Sequence, residues 1–451
     1  MNLDSAFLKG LTGEVVTPLN PVYNSARQEW NRAINKFPLV IVYCESKQDV
    51  INAVLWAQKH KVSIRIRSGG HHYEGYSTGN FVLVIDISRL NALKLDKSRN
   101  ILQMEAGAKN TEVYDLIGSN GYVFPGGTCP TVGVSGFTLG GGWGYSSRLY
   151  GLGCDNLLEL ELVNYQGRLI KANRYHNSDL FWACRGAGGG NFGVVVSMTF
   201  QLPEPAAVRV TLVRFSYAVT TKEKQAKVMD IWQNWLPGLD KRLTLSVSFY
   251  NEEEEGLGIF GSGFFYGSAE EARQLLQPFA AVKGFQADLQ ESSFLEAVKK
   301  VEAAYPPFEK FKSTGRFAGR SYSPVELNHI AQLVQNPADG SVYAAVTFYA
   351  LGGEIASVGK REKAFYYRDA RYIFGIQSVW TEDAFAEENR KWVRERFEYI
   401  KSITEGSYVN FPISNLKNYE REYFGANAER LNRVNGKYDP FFVFRFPQSL
   451  R

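Results

Sequence analysis

The chain has 451 residues, 45% of them hydrophobic and 22% charged, with 51 Lys and Arg against 46 Asp and Glu. That length buries a sizeable core and suits two domains, in a composition typical of globular proteins. Near-balanced charge with no basic block excludes nucleic acid as an obvious partner, and no run approaches the roughly eighteen apolar residues of a membrane span.

The opening "MNLDSAFLKGLTGEVV" has no apolar run and carries Asp4, so it does not read as a secretion signal. Residues 38–44, "PLVIVYC", predict a strand. "ESKQDVINAVLWAQKH" predicts a helix opened by a capping box of Ser46 and Asp49, with Val50, Val54 and Leu55 on one face. "VSIRIRS" alternates, with Val62, Ile64 and Ile66 on one side and Ser63, Arg65 and Arg67 on the other. It predicts a half-buried strand that runs into two glycines. "FVLVIDI" predicts a buried strand, and "NTEVYDLIGSNG" a short helix capped by Asn110 and stopped near Gly121. "LLELELVNYQGRLI" predicts a hairpin turning at Gln166 and Gly167, and "NFGVVVSMTFQL" another strand.

Near Pro203 to Ala207 the character changes. From there to about residue 400, antiparallel-looking strands ("LTLSVSFYN", "LGIFGSGFFYG", "SVYAAVTFYAL", "YYRDARYIFGIQSVW") are interspersed with amphipathic helices ("KEKQAKVMDIWQNWL", "AEEARQLLQPFAAV", "AFAEENRKWVRERFEYI"), which makes a second domain. The tail helix "NAERLNRVNGKYDP" reads as a docking element. Cys44, Cys129, Cys154 and Cys184 form no framework, the pattern of a reducing, cytoplasmic setting.

Three glycine-rich stretches carry the chemistry: "RSGGHHYEGYS" from Arg67, "FPGGTCPTVGVSGFTLGGGWG" from Phe124 and "GAGGGNFG" from Gly186. Gly188, Gly190 and Gly193 have the G-x-G-x-x-G spacing, but a strand follows them, not a helix, so this is not a Rossmann fingerprint. There is no P-loop, no HExxH and no cysteine pair at zinc spacing. His71 and His72 are adjacent and would point to opposite faces of a strand, so no metal site is expected. His60 and His176 are isolated and read as solvated or capping residues. Glycine lets backbone N–H groups approach an anion closely, and three such runs, each abutting a strand, point to a bound dinucleotide.

His71 and Cys129 are the reactive pair within these loops. A thiolate beside backbone amides is a nucleophile, and an imidazole is both nucleophile and base. An oxidised flavin offers them two electrophilic positions, the C8 methyl and ring carbon C6. Residue chemistry alone leaves a second reading open, in which Cys129 is an inert thiol and His71 a hydrogen-bonding turn residue.

Together, "RSGGHHYEGYS", "GGTCPTVGVSGFTLGGGWG", "GAGGGNFGVV" and the tail "YVNF…YFG…KYDP" resemble the berberine bridge enzyme-like family, a branch of the vanillyl-alcohol-oxidase or PCMH-type FAD proteins, over nearly the whole chain. The resemblance implies an α+β fold. It has a PCMH-type FAD-binding domain over residues 1–205 and a substrate domain with an antiparallel sheet flanked by helices over 206–404. A berberine-bridge-like segment over 405–451 returns to the first domain. It also implies FAD attached twice, through His71 to the C8 methyl and through Cys129 to C6. Arg67, Ser68, Gly69 and Gly70 would cradle the diphosphate, and Gly133, Gly136, Gly140 and Gly141 would pack along the cofactor. Val195 would meet the adenosine side, and Tyr408 and Asn410 would close over the flavin. His72 occupies a position that varies in the family and receives no role.

The reaction implied is hydride transfer from a substrate C–H to flavin N5. In relatives the residue three after the cysteine gates oxygen; here it is Val132, whose small side chain points to an oxidase that reduces molecular oxygen to hydrogen peroxide. Many relatives carry a tyrosine base at the fourth position of Y-x-N-Y. This chain has "YVNF", and Phe411 cannot act as a base. Tyr349, Tyr372 and Gln377, on predicted strands, are the replacement candidates. Otherwise the substrate needs no base, as with a neutral amine. A carbohydrate or other alcohol, or an amine or alkaloid-like metabolite, is the expected substrate. The alternatives are a dehydrogenase of the same fold with another acceptor, and a non-catalytic structural flavoprotein.

Overall fold

Four strands make the first sheet: β1 Glu14–Val16, β2 Val40–Tyr43, β3 Ile64–Arg67 and β4 Leu83–Asp86. Their order is β1-β2-β4-β3, with β2 and β3 both parallel to β4. The computed structural model describes residues 5–205 and 209–451; Asp4 and part of the Pro203–Ala207 junction lie outside the described residues. Parallel pairing needs a crossover, and the helix Lys47–His60 supplies it between β2 and β3. Its capping box forms as expected: the Ser46 side chain accepts the Asp49 N–H, and Asp49 accepts the Ser46 N–H. Leu55 departs from expectation and is 45% exposed. At 100° per residue, Val50, Ala53, Val54 and Ala57 share the buried face, and Leu55 sits one step round from it.

The second sheet is antiparallel: β5 Leu93–Asp96, β6 Ile101–Glu105, β7 Leu157–Val163, β8 Leu169–Asn173 and β9 Val194–Gln201, in the order β5-β6-β9-β7-β8. The β7–β8 hairpin turns where expected, with Gly167 at φ +69°. The helix Asn110–Gly118 starts one residue earlier than predicted, with Lys109 at its N-cap. Asn110 is inside the helix, and its side-chain amide donates instead to the Cys129 carbonyl at 2.9 Å.

The third sheet has eight strands: β10 Arg209–Tyr217, β11 Leu243–Glu252, β12 Gly256–Phe265, β13 Phe285–Ser293, β14 Lys310–Ala318, β15 Ser341–Ala350, β16 Tyr372–Trp380 and β17 Glu405–Ser407. Their order is β13-β10-β12-β11-β15-β16-β14-β17, all antiparallel. Alternation along these strands decides what faces what. Leu245, Val247 and Phe249 join Val346, Phe348, Phe374 and Ile376 in a buried core. Met229 and Trp232 of helix Lys222–Trp235, Leu327 and Ile330 of helix Pro324–Gln332, and Trp392, Val393 and Ile400 of helix Ala386–Ile403 belong to the same core. The intervening residues face the other way, toward the first two sheets.

The tail docks through specific contacts. Within helix Ala428–Tyr438, Asn435 donates to the Asn191 carbonyl at 2.8 Å, and the Tyr438 hydroxyl bonds Asp179 at 2.8 Å. Asp439 then accepts the N–H groups of Val443 and Phe444. Among the described residues, no helix is long and apolar enough to cross a membrane.

Candidate active site

The link from β3 to β4 carries Ser68 to Ser77, and the loop from Phe124 to Gly133 leads into the helix Val134–Leu139. The two loops touch backbone to backbone. A Cβ on Gly69 would lie 2.4 Å from Gly133 N and 2.6 Å from Thr131 O, and one on Gly133 would lie 2.2 Å from Ser68 Oγ. Glycine at both positions is what lets the loops meet.

Their contact brings His71 and Cys129 to one place. His71 Nε2 lies 2.8 Å from Thr131 Oγ1, and Cys129 Sγ lies 3.8 Å from the same oxygen. Trp30 stacks on the His71 imidazole, centroids 5.0 Å apart. Burial, aided by the charge of Lys109, pulls the His71 pKa down to about 4, which leaves a neutral ring at physiological pH. Burial pushes the Cys129 thiol up, opposed by the N–H groups of Thr131 and Val132 and by the Thr131 hydroxyl. The other three cysteines are free and buried.

Both residues line a cavity of about 910 Å³, near the top of the ~300–1,000 Å³ range of ligand pockets. Ser68, Gly69, Gly70, Val132, Gly133, Gly136, Val195, Tyr408 and Asn410 line it too, as do the base candidates Tyr349 and Gln377. The far wall is the outward face of the third sheet: Arg214, Ser246, Ser248, Ser262, Thr347, Tyr349 and Gln377. Cross-strand pairs Ser246–Ser262 and Ser246–Tyr349 set these side by side, and the Ser248 and Thr347 hydroxyls bond at 2.8 Å. The tail closes the site from a third direction. The Tyr408 hydroxyl accepts the Gly142 N–H at 3.0 Å, and Asn410 donates to the Phe137 carbonyl at 2.9 Å.

Four expected residues do not line this cavity. Tyr372 is on β16 with Gln377 but at the opposite parity; it is fully buried in the helix-facing core against Phe348 and Trp232. Arg67 turns inward to Asp86 on the neighbouring β4 at 2.5 Å, with Glu29 at 3.6 Å. Gly140 makes room for Asn410, 1.9 Å from where its Cβ would be. Gly141, at φ +117°, makes room for Phe365.

Sequence reading missed Arg65, which does line the cavity. It donates to the carbonyls of Ile64 and Arg445, its buried Nε has no hydrogen-bond partner, and no carboxylate pairs with it among the described residues. The strand pattern put Arg65 and Arg67 on one side, but it held no sign that Asp86 and Glu29 would occupy only the second. Also missed were Tyr73, Tyr145 and Tyr305 on the cavity wall, and Glu309, the one carboxylate on it among the described residues. Desolvation pushes Glu309 up to about 7. Burial pushes Tyr349 and Tyr408 up to about 12.

Residues 38–173 match the family model described as FAD binding domain, and residues 407–451 the one described as berberine and berberine like. The chain is 36% identical over 447 residues to the FAD-linked oxidoreductase YgaK of Bacillus subtilis (strain 168), covering 98% of this chain and 97% of that protein. This chain belongs to the berberine bridge enzyme-like FAD-linked oxidoreductases. It is 29% identical over 441 residues to monolignol oxidoreductase AtBBE-like 13 of Arabidopsis thaliana, covering 88% of this chain and 81% of that one. The structure of Physcomitrella patens BBE-like 1 superposes with a TM-score of 0.90 at 25% identity, covering 100% of this chain and 99% of that one. The α+β, PCMH-type fold is therefore the fold of this family, and membership makes the chain an enzyme rather than a structural coat component.

The cavity fits the FAD that the family binds. The N–H groups of Gly69, Gly70 and His71 have no acceptor among the described residues, and the Arg65 guanidinium has no counter-ion there. Both suit a diphosphate. Gly188, Gly189 and Gly190 line the same cavity without side chains to obstruct a ring system.

Proposed function

We propose that this enzyme is an FAD-dependent oxidase whose flavin is attached through both His71 and Cys129, and that it oxidises a C–H bond of a small hydroxylated metabolite with molecular oxygen as acceptor. The observation that carries this reading is the meeting of His71 and Cys129 on Thr131 at the cavity wall, from loops distant in the chain. The bound flavin supplies the hydride acceptor. Everything else falls to the protein. His71, neutral and clamped between Trp30 and Thr131, is set to act as a nucleophile. Val132 lines the cavity beside Cys129, where its short side chain leaves a path for oxygen.

The sheet wall favours an alcohol or carbohydrate over an amine or alkaloid-like substrate. It offers four small hydroxyls, the Tyr349 phenol and the Gln377 amide, groups that pair with substrate hydroxyls. The division into a flavin domain over 1–205 with 405–451 and a substrate domain over 206–404 belongs to the same reading: the cavity is lined by residues from each of the three segments.

Substrate oxidation needs the hydroxyl proton held or removed. Tyr349 and Gln377 are the residues proposed to orient that hydroxyl, with Phe411 beside them supplying only an apolar surface. The test is anaerobic reduction with a panel of sugars, alcohols and amines, followed by air. Bleaching by an alcohol and recovery within seconds, with peroxide released, is the expected result. Flavin that stays reduced for minutes in air points to the dehydrogenase alternative and overturns the oxidase.

A further inference from the structure

Thr131 holds one hydroxyl against both reactive side chains, His71 Nε2 at 2.8 Å and Cys129 Sγ at 3.8 Å. We propose that Thr131 is a shared positioning residue for flavin attachment, its hydroxyl fixing the His71 tautomer and hydrogen-bonding the two atoms, His71 Nε2 and Cys129 Sγ, that lose a proton as the links form. This rests on the double attachment proposed above.

A threonine hydroxyl has one hydrogen and two lone pairs. When that hydrogen points at the Cys129 sulfur, where it favours the thiolate, the oxygen is free to accept the His71 Nε2–H. The imidazole lone pair is then on Nδ1, which makes no hydrogen bond among the described residues. Stacking on Trp30 keeps the ring in that plane.

The chemistry of the two links gives the hydroxyl its work. At His71, Nδ1 bonds the C8 methyl carbon; one proton leaves that carbon and one leaves Nε2. At Cys129, the sulfur bonds C6; one proton leaves C6 and one leaves the sulfur. Each link also releases two electrons, which molecular oxygen takes up with two protons as hydrogen peroxide. The protein atoms that give up a proton are Nε2 and Sγ, and those are the two atoms Thr131 Oγ1 touches.

The experiment loads flavin-free full-length chain with FAD in air and follows each link by intact mass and peptide mass after acid denaturation. Thr131→Val keeps the shape and removes the hydroxyl; Thr131→Ser keeps the hydroxyl. Both links are expected to form about 10²-fold more slowly in Thr131→Val, the low end for losing a positioned proton-handling group, with Thr131→Ser close to wild type. If Thr131→Val does not fold, Thr131→Ala carries the same comparison. Wild-type rates for both links in a folded hydroxyl-free variant, or slowing of one link alone, overturn the shared role. Wild-type chain that releases all its flavin in acid overturns the covalent reading itself, which is a separate observation.

Discussion

The Phe411 and Tyr73 rings lie face to face, centroids 5.2 Å apart and 9° from parallel, and Tyr349 meets Phe411 edge-on at 5.5 Å. The tail, the histidine loop and the substrate sheet thus converge on one aromatic cluster. The Phe411 carbonyl fixes its place by accepting from Gly315 N–H at 3.2 Å and from the Thr314 hydroxyl at 2.9 Å. The position where relatives carry a tyrosine base is apolar here, and the nearest cavity phenol on the substrate sheet is Tyr349.

Tyr349→Phe is therefore expected to slow anaerobic flavin reduction by about 10²-fold or more, the usual scale for a positioned proton-handling group. Gln377→Ala should act in the same direction, and both should leave flavin attachment intact. Tyr372→Phe should change reduction by less than about twofold, because that ring faces the helices; stopped-flow reduction of the three variants checks this.

Cys129→Ala is expected to retain flavin through His71 alone, His71→Ala through Cys129 alone, and the double variant to release it. Intact mass after acid reads all three directly. His71→Ala should lose more of its flavin on storage than it loses activity when freshly loaded.

Val132→Leu adds one methylene to the wall beside Cys129. Reoxidation by oxygen should slow by about 10-fold or more, the scale of one methylene misfit, while reduction by substrate stays within about twofold. Equal slowing of both half-reactions would show general damage to the site instead of an oxygen gate.

Gly69→Ala places a Cβ against two backbone atoms of the facing loop, and backbone cannot yield as a flexible side chain does. Overpacking of this kind costs about 1–3 kcal/mol. The variant should melt lower and attach flavin incompletely, and Gly121→Ala, with open space but φ +78°, should affect stability without affecting attachment.

Two buried groups give opposite pH signatures in the flavin-free protein. Burial holds His71 down to about 4 from its ordinary 6.5, so the unfolded chain binds that proton first and stability falls as pH drops from 6.5 toward 4. Glu309 is held up to about 7 from 4.5, so the folded chain binds more protons in that window and stability falls as pH rises from 4.5 toward 7. Melting temperature against pH should lose the second slope in Glu309→Gln and lessen the first in His71→Asn, where the buried His72, held down to about 3, still contributes.

The sequence by itself determined the family and the glycine-rich loops that carry His71 and Cys129. Runs such as "RSGGHHYEGYS" are contiguous, and their glycines, histidine and cysteine announce close backbone approach and nucleophiles without any need for coordinates. Alternation in "VSIRIRS" and "LTLSVSFYN" likewise fixed strands, because period two is a local property. Only the tertiary structure decided which neighbours on a strand meet the cavity. Arg67 finds Asp86 and Glu29, leaving Arg65 on the cavity wall, and Tyr372 falls on the helix side while Gln377 falls on the other. Those choices depend on what packs against each face, and the partners arrive from β4, from the segment around Glu29 and from helices far along the chain. The meeting of His71 and Cys129 on Thr131 is of the same kind: it needs Gly69 and Gly133 to bring two distant loops into van der Waals contact, a distance no spacing in the sequence records.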